Sequence, residues 1–156
     1  FIDRLPRLIS AQAEGCCPIN RAIAENKPWH PMEENTLADS IAVGVPRNAD
    51  KALMAIRESN GIVVNVSDEE IMAAQQLLGR TCGVFGEPAG VTGTAGVKKL
   101  CEQGVIGRDD TVVSVVTGNG LKDVANAIKA AGEPISIPSD MDRLLAAFAE
   151  QGITVE

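Results

Sequence analysis

A chain of 156 residues is long enough to bury one hydrophobic core unaided, and 45% hydrophobic with 22% charged residues excludes the low-hydrophobicity composition that keeps a segment disordered. A net charge of −7 with no Lys/Arg-rich stretch, and 3% aromatics with no Tyr, leave neither a basic track nor a stacking platform, which excludes nucleic acid as a partner. No apolar run reaches the ~18 residues of a membrane helix and the N-terminus lacks a signal-peptide pattern, so the expectation is a soluble cytoplasmic protein, free of membrane, with reduced cysteines at 16, 17, 82 and 101 and no metal site.

The chain opens on Phe1, and residues 1–8 read as the tail of an element begun upstream, as though cut from something longer. Residues 7–13 (RLISAQA) alternate loosely as a strand, and Pro18, tolerated at a first helical position, opens a helix carrying Ile19, Ala22 and Ile23. Residues 27–35 (KPWHPMEEN) have two prolines and no period, so they form a loop; residues 36–46 (TLADSIAVGVP) are apolar but broken by Gly44 and Pro46 and take no definite type. Asn48 can cap a helix bearing Ala52, Leu53 and Ile56 that closes near Asn60-Gly61 through a left-handed residue.

Residues 62–66 (IVVNV) follow as a strand, and Ser67 with Glu70 forms a capping box for a helix with Ile71, Ala74, Gln75 and Leu78 on one stripe. After a short apolar piece at 82–85, Pro88 begins a helix of residues 88–103. Residues 111–116 (TVVSVV) are continuously β-branched and apolar rather than alternating, the pattern of a strand buried on both faces in the middle of a sheet. Residues 121–131 make an amphipathic helix; a last helix at 139–151, opened by Ser139 and Asp142, places Met141, Leu144, Leu145 and Phe148 at core spacing.

Alternating strands and helices joined by connections too long for hairpins define an α/β chain: three layers, a mostly parallel sheet and helices on both faces. The strands are few for so many helices. A central strand needs partners on both edges, so part of the sheet is expected to lie outside this sequence.

Gly90, Gly93 and Gly96 weaken the helix at 88–103 by about 1 kcal/mol each relative to alanine, a cost that close approach to a sheet or to a ligand would offset. Thr117-Gly118-Asn119-Gly120 joins the expected buried strand to the next helix. In open parallel sheets ligands gather beyond the carboxyl ends of strands, although a plain tight turn has the same composition. Glu87, just before Pro88, is either a solvated N-cap or a carboxylate aimed at a pocket. His30 has no ligand or triad partner at useful spacing and there is no GxSxG elbow, so a serine hydrolase is set aside.

Residues 85–100 (FGEPAGVTGTAGVKKL) together with 112–123 (VVSVVTGNGLKD) closely resemble the C-terminal half of the threonine synthases, within the tryptophan-synthase-β-like (fold type II) pyridoxal-phosphate enzymes. Residues 5–19 and 36–44 match further family blocks in order, so the resemblance spans about the whole chain. EPAG-like strings occur across the fold type, whereas TGNGLKD separates the threonine synthases from serine and threonine dehydratases.

The resemblance implies that residues 1–156 are the C-terminal portion of an incomplete large domain whose N-terminal half is absent. It implies pyridoxal phosphate as cofactor, with the Thr117 hydroxyl on the pyridine nitrogen, Gly118 lining the same turn, Ala38 in a loop facing the ring and Glu87 near the pocket mouth. A hydroxyl does not hold that nitrogen protonated as a carboxylate would, which favours elimination and replacement chemistry. The Schiff-base lysine and the glycine-rich phosphate loop belong to the missing half, so no catalytic residue is assigned here, and Lys98, Lys99 and Lys122 are not given that role. The implied reaction takes O-phospho-L-homoserine and water to L-threonine and phosphate in a homodimer, the fragment alone being inactive. A dehydratase-like fragment and a stand-alone α/β binding module are the alternatives.

Overall fold

Two parallel strands organise the molecule. Ile9–Ala13 (β1) pairs with Ile62–Val66 (β2) in the register Ile9 to Ile62 through Ala13 to Val66. The computed structural model describes residues 3–132, 134, 136–137 and 139–154, so Phe1 and Ile2 of the expected upstream tail lie outside the described residues. The helices are α1 (Pro18–Glu25), α2 (Ala49–Glu58), α3 (Asp68–Cys82), α4 (Pro88–Glu102), α5 (Val124–Ala131) and α6 (Met141–Glu150), with short 3-10 turns at Asp39–Ile41 and Gly120–Lys122.

Strand alternation separates two cores. Ala13, Val64 and Val66 bury against Ile71 and Ala74 of α3 and Val91, Ala95 and Leu100 of α4, with Ile9, Ala11 and Ile62 packed alongside. Val63, pointing the other way, meets Ile19 and Ala22 of α1 and Ala49, Leu53 and Ile56 of α2. Helices thus cover both faces of the β1–β2 pair, the expected three layers. α4 comes close because of Gly96: a Cβ there would lie 2.8 Å from Ala11 Cβ and 2.9 Å from Val64 Cγ1. Helix-on-sheet packing is therefore what this glycine serves.

The α1 face is fastened by a buried amide. Asn20, 1% exposed, accepts from Ser10 Oγ at 2.7 Å through Oδ1, and its Nδ2 donates to Val64 O at 2.9 Å and Asn65 Oδ1 at 2.7 Å. Its backbone N–H donates to Gln12 Oε1 at 2.9 Å. One side chain therefore ties α1 to both strands. Beside it, burial pushes the thiols of Cys16 and Cys17 above the ordinary cysteine range, which keeps them protonated and unreactive.

The capping box at α3 forms as read: Glu70 N donates to Ser67 Oγ at 3.2 Å and Ser67 N to Glu70 Oε2 at 2.7 Å. Lys99 of α4 adds an ion pair, its Nζ lying 2.9 Å from Glu70 Oε2 and donating to Asn65 O at 2.9 Å. Partial burial acts to raise the Glu70 pKa, but the Lys99 ammonium and the Ser67 amide outweigh it and hold the carboxyl below its ordinary value. The same contact, against desolvation, lifts Lys99.

A depressed carboxyl contributes stability above its unfolded pKa of about 4.5 and loses it as pH falls through the lower folded value. A raised ammonium contributes below 10.5 and loses it as pH rises through the higher folded value. Glu70→Gln, which keeps an oxygen for the Ser67 amide and loses only the charge facing Lys99, is expected to cost about 0.5–1 kcal/mol at neutral pH, the scale of a solvent-screened pair. In urea denaturation the gap from wild type should close below pH 4.5. A gap unchanged at low pH would remove the charge from this account.

Three expectations are corrected. Residues 111–116 form no strand: among the described residues no ladder joins them to β1 or β2, and Val113 and Val115 are 84% and 71% exposed. The segment instead runs beside α4, with Ser114 Oγ 3.2 Å from Thr94 Oγ1. β-branched residues favour a strand only where a neighbour supplies hydrogen bonds, and no described strand pairs with this segment. In α6 no residue is buried; Met141 is 67% exposed and Leu145 47%, and the cap is Asp140, which accepts from Arg143 N. A stripe specifies which side of a helix is apolar and nothing about what covers it. At α2, Asn48 occupies the N-cap without a side-chain bond, while Asn60 does adopt the left-handed conformation with φ 52°.

Candidate functional site

The turn after residue 116 is held by a short antiparallel clasp with the segment preceding α4. Glu87 N donates to Gly118 O at 2.9 Å and Gly120 N to Phe85 O at 2.9 Å. From below, the buried Gln75 Nε2 donates to Gly86 O at 2.8 Å, while its Oε1 is buried without a protein donor. Gly90 lets the turn lie directly on α4, for a Cβ there would sit 2.9 Å from Gly118 N and 3.4 Å from Thr117 N. Of the two readings of the α4 glycines, Gly96 serves the sheet and Gly90 serves this turn.

Glu87 occupies the N-cap of α4, yet its carboxylate makes no capping bond. The side chain, 7% exposed, folds over Gly118, with Lys122 Nζ 3.9 Å from Oε1. A Cβ on Gly118 would lie 1.7 Å from Glu87 Oε1, so the absence of a side chain at 118 is what admits the carboxylate. Glu87 is therefore not a solvated cap. Thr117, next to this contact, is exposed, and no described residue hydrogen-bonds its hydroxyl.

Ala38 is 1% exposed and shares a cluster with Val91, the neighbour of Gly90 on α4. Its loop is clamped by the first residue of α3: Thr36 Oγ1 donates to Asp68 Oδ1 at 2.6 Å, and Leu37 N to Asp68 Oδ2 at 3.0 Å. The structure thus brings Glu87, Thr117 and Gly118 together at the start of α4, while Ala38 is buried in the core shared by the sheet, α3 and α4.

Two cavities lie elsewhere. One of about 60 Å³ is flanked by Glu70, Lys98, Lys99 and Glu102, and one of about 430 Å³ by Trp29, Asp50, Leu53 and Arg57. Neither is lined by the four residues above. Lys98 pairs with Glu102, and Lys99 with Glu70 and Glu14.

Sequence reasoning passed over Gln75 as a site residue, placing it only on the α3 stripe, and passed over Asp68 altogether. Asp68 stands at the opening of a helix, where an acidic residue is ordinarily read as favouring the helix dipole, and that hides its bonds to the preceding loop.

A two-stranded parallel sheet with helices on both faces and a glycine turn lying on α4 describe an α/β fold, and comparison makes the class specific. Residues 2–118 match the family described as pyridoxal-phosphate dependent enzyme, and the chain belongs to that family. It is 47% identical over 148 residues to the threonine synthase of Methanosarcina acetivorans, covering 94% of this chain and 36% of that protein. It is 47% identical over 146 residues to the threonine synthase of Methanocaldococcus jannaschii, covering 92% and 36%. The chain thus spans about a third of the length of these curated relatives.

Among solved structures, maize serine racemase superposes with a TM-score of 0.60 at 20% identity over 80% of this chain and 37% of that one. Serine racemase from Dictyostelium discoideum gives 0.56 at 20% over 72% and 34%. These likenesses establish the α/β fold. No helix among the described residues is long and apolar enough to cross a membrane.

The donor chemistry fits one end of pyridoxal phosphate. An exposed neutral hydroxyl without an internal partner, flanked by a bare glycine, can donate to a pyridine nitrogen.

Proposed function

We propose that the chain is the C-terminal portion of a cytoplasmic threonine synthase, the full enzyme converting O-phospho-L-homoserine and water to L-threonine and phosphate. The observation that carries the reading is 47% identity to two threonine synthases over more than nine-tenths of the chain. Bound pyridoxal phosphate would supply the electron sink for removing a proton from the amino-bearing carbon and then one from the carbon beside it. This chain's own part is to seat the ring. Thr117 would donate to the pyridine nitrogen, the buried Glu87 packed over Gly118 would brace that turn, and Ala38, buried in the core, would support the site from behind without touching the ring. The lysine that anchors the cofactor, the phosphate loop and a second copy completing a homodimer would come from outside these residues, so the chain alone would be inactive.

The deciding assay compares phosphate release from O-phospho-L-homoserine with 2-oxobutyrate formation from threonine, using the full-length enzyme. Phosphate release with threonine as product supports the proposal; oxoacid formation without phosphate release replaces it with a dehydratase. Within the same enzyme, Thr117→Ala is expected to lower kcat about tenfold, the equivalent of one hydrogen bond of roughly 1–1.5 kcal/mol, while the cofactor still loads by its visible absorption. Thr117→Ser should retain most turnover. Full turnover in the alanine variant would take Thr117 out of the site.

A further inference from the structure

The outer face of α2 carries a charge pattern that reads the same from both ends. Its exposed residues are Asp50, Lys51, Met54, Arg57 and Glu58, while Ala49, Leu53 and Ile56 turn inward to the core shared with α1. At about 3.6 residues per turn, Asp50 and Arg57 lie about 40° and 60° to one side of Met54, and Lys51 and Glu58 about 60° and 40° to the other. Each flank therefore holds one acid and one base roughly two turns apart, and the order is reversed between the flanks. Met54, between them, is 51% exposed.

The chain itself leaves these charges open. Among the described residues, Lys51, Arg57 and Glu58 take part in no ion pair. Asp50 accepts from Trp29 Nε1 at 3.2 Å through Oδ1, which steadies the carboxylate while Oδ2 stays without a described donor. The cavity of about 430 Å³ on this flank is bounded by Asp50, Leu53, Arg57 and Trp29. An incoming cationic side chain would meet a held carboxylate beside an indole there.

A second α2 laid antiparallel on the first, about a twofold axis at Met54, sets Asp50 opposite the partner's Arg57 and Lys51 opposite the partner's Glu58. The twofold repeats both pairs around two facing methionines, as an isologous contact requires. The midpoints of 50–57 and 51–58 fall half a residue to either side of position 54, so one axis serves both flanks. Antiparallel packing also brings each positive helix N-terminus beside the negative C-terminus of the other helix. Every exposed residue of α2 finds a suitable counterpart.

We propose that α2 is a self-complementary docking face on which a second copy of this chain packs antiparallel, centred on Met54. The proposal rests on the homodimer of the proposed function and gives it a surface, on the α1–α2 face of the sheet and opposite the face covered by α3 and α4. A helix of ten residues is only about 15 Å long, too little for the roughly 800 Å² per partner of a standard interface. α2 is therefore the centre of a wider contact, and its charges set orientation and register.

The test is sedimentation velocity of the full-length enzyme over a concentration series, for wild type, Met54→Glu, Lys51→Glu, Glu58→Lys and the double variant Lys51→Glu/Glu58→Lys. Arg80→Glu, a charge reversal at an exposed position of α3, is the control. All substituted positions are exposed, and far-ultraviolet circular dichroism checks that each variant is folded. Expected are dimer dissociation constants raised about tenfold in each single charge reversal and more in Met54→Glu, with Arg80→Glu like wild type. The double variant should return to within about threefold of wild type, because only an antiparallel pair restores opposite charges when the two are exchanged. A dimer unmoved by Met54→Glu and Lys51→Glu, or a double variant weaker than either single one, would overturn the proposal. A wild type that sediments as a monomer throughout would remove the homodimer as well. Phosphate release from O-phospho-L-homoserine is read separately, so failure of the docking face and failure of the proposed reaction are told apart.

Discussion

Gly118→Ala is expected to destabilise the protein by about 2 kcal/mol, within the range for forcing a methyl group into a filled space, and to weaken cofactor retention at the same time. The new Cβ would fall 1.7 Å from Glu87 Oε1 and 2.2 Å from Glu87 Cδ. The turn cannot retreat the other way, because α4 already lies against it at Gly90. The carboxylate must therefore swing out, or the 85–87 and 118–120 clasp must open. Combining the change with Glu87→Ala discriminates: if the collision is the cause, removing the carboxylate recovers much of the loss and the two substitutions are far from additive. Additive losses in urea denaturation would show that Gly118 matters for some other reason.

Asn20→Leu should have the largest effect on stability, about 3 kcal/mol or more. Leucine keeps the volume but strips donors from Val64 O and Asn65 Oδ1 and an acceptor from Ser10 Oγ, and each stranded buried group costs about 1–3 kcal/mol. Gln76→Ala is the comparison, since it removes a single partly buried bond to Ala130 O and is expected to cost under about 1 kcal/mol. Near-equal losses for the two variants, read from denaturant midpoints, would refute the view that Asn20 is the fastener of α1 to the sheet.

The local grammar of the chain was legible where the signal and its cause lie within a few residues. Ser67 and Glu70 cap α3 as their spacing requires, Ile71 and Ala74 are fully buried on the expected stripe, and Pro88 begins α4. What failed depends on distant partners. Val113 and Val115 have strand-forming side chains, but a strand is a relation between two segments, and residues 111–116 find none. Leu145 sits on a well-formed amphipathic stripe that no described residue buries, and is 47% exposed.

The site divides the same way. Its glycine turn was readable from Thr117 to Gly120, as was the need for bare backbone in α4. The burial of Glu87 was not, because it follows from contact with a residue 31 positions on. Nor was the hold of Asp68 on the Leu37 amide, since an acidic residue in a first helical turn announces no partner outside its own helix.

The register that sets Ile9 opposite Ile62 also has a kinetic meaning. Between those residues the chain makes α1, a long irregular stretch and α2, so the first ladder bond closes a large loop and its entropy is spent before any pairing compensates. The α3–α4 pair, consecutive in the chain and packed through Ile71, Ala74, Val91 and Ala95, can assemble sooner. The sheet at the centre of the finished molecule is then expected to form late in its assembly, with loop closure rather than helix formation setting the rate of refolding.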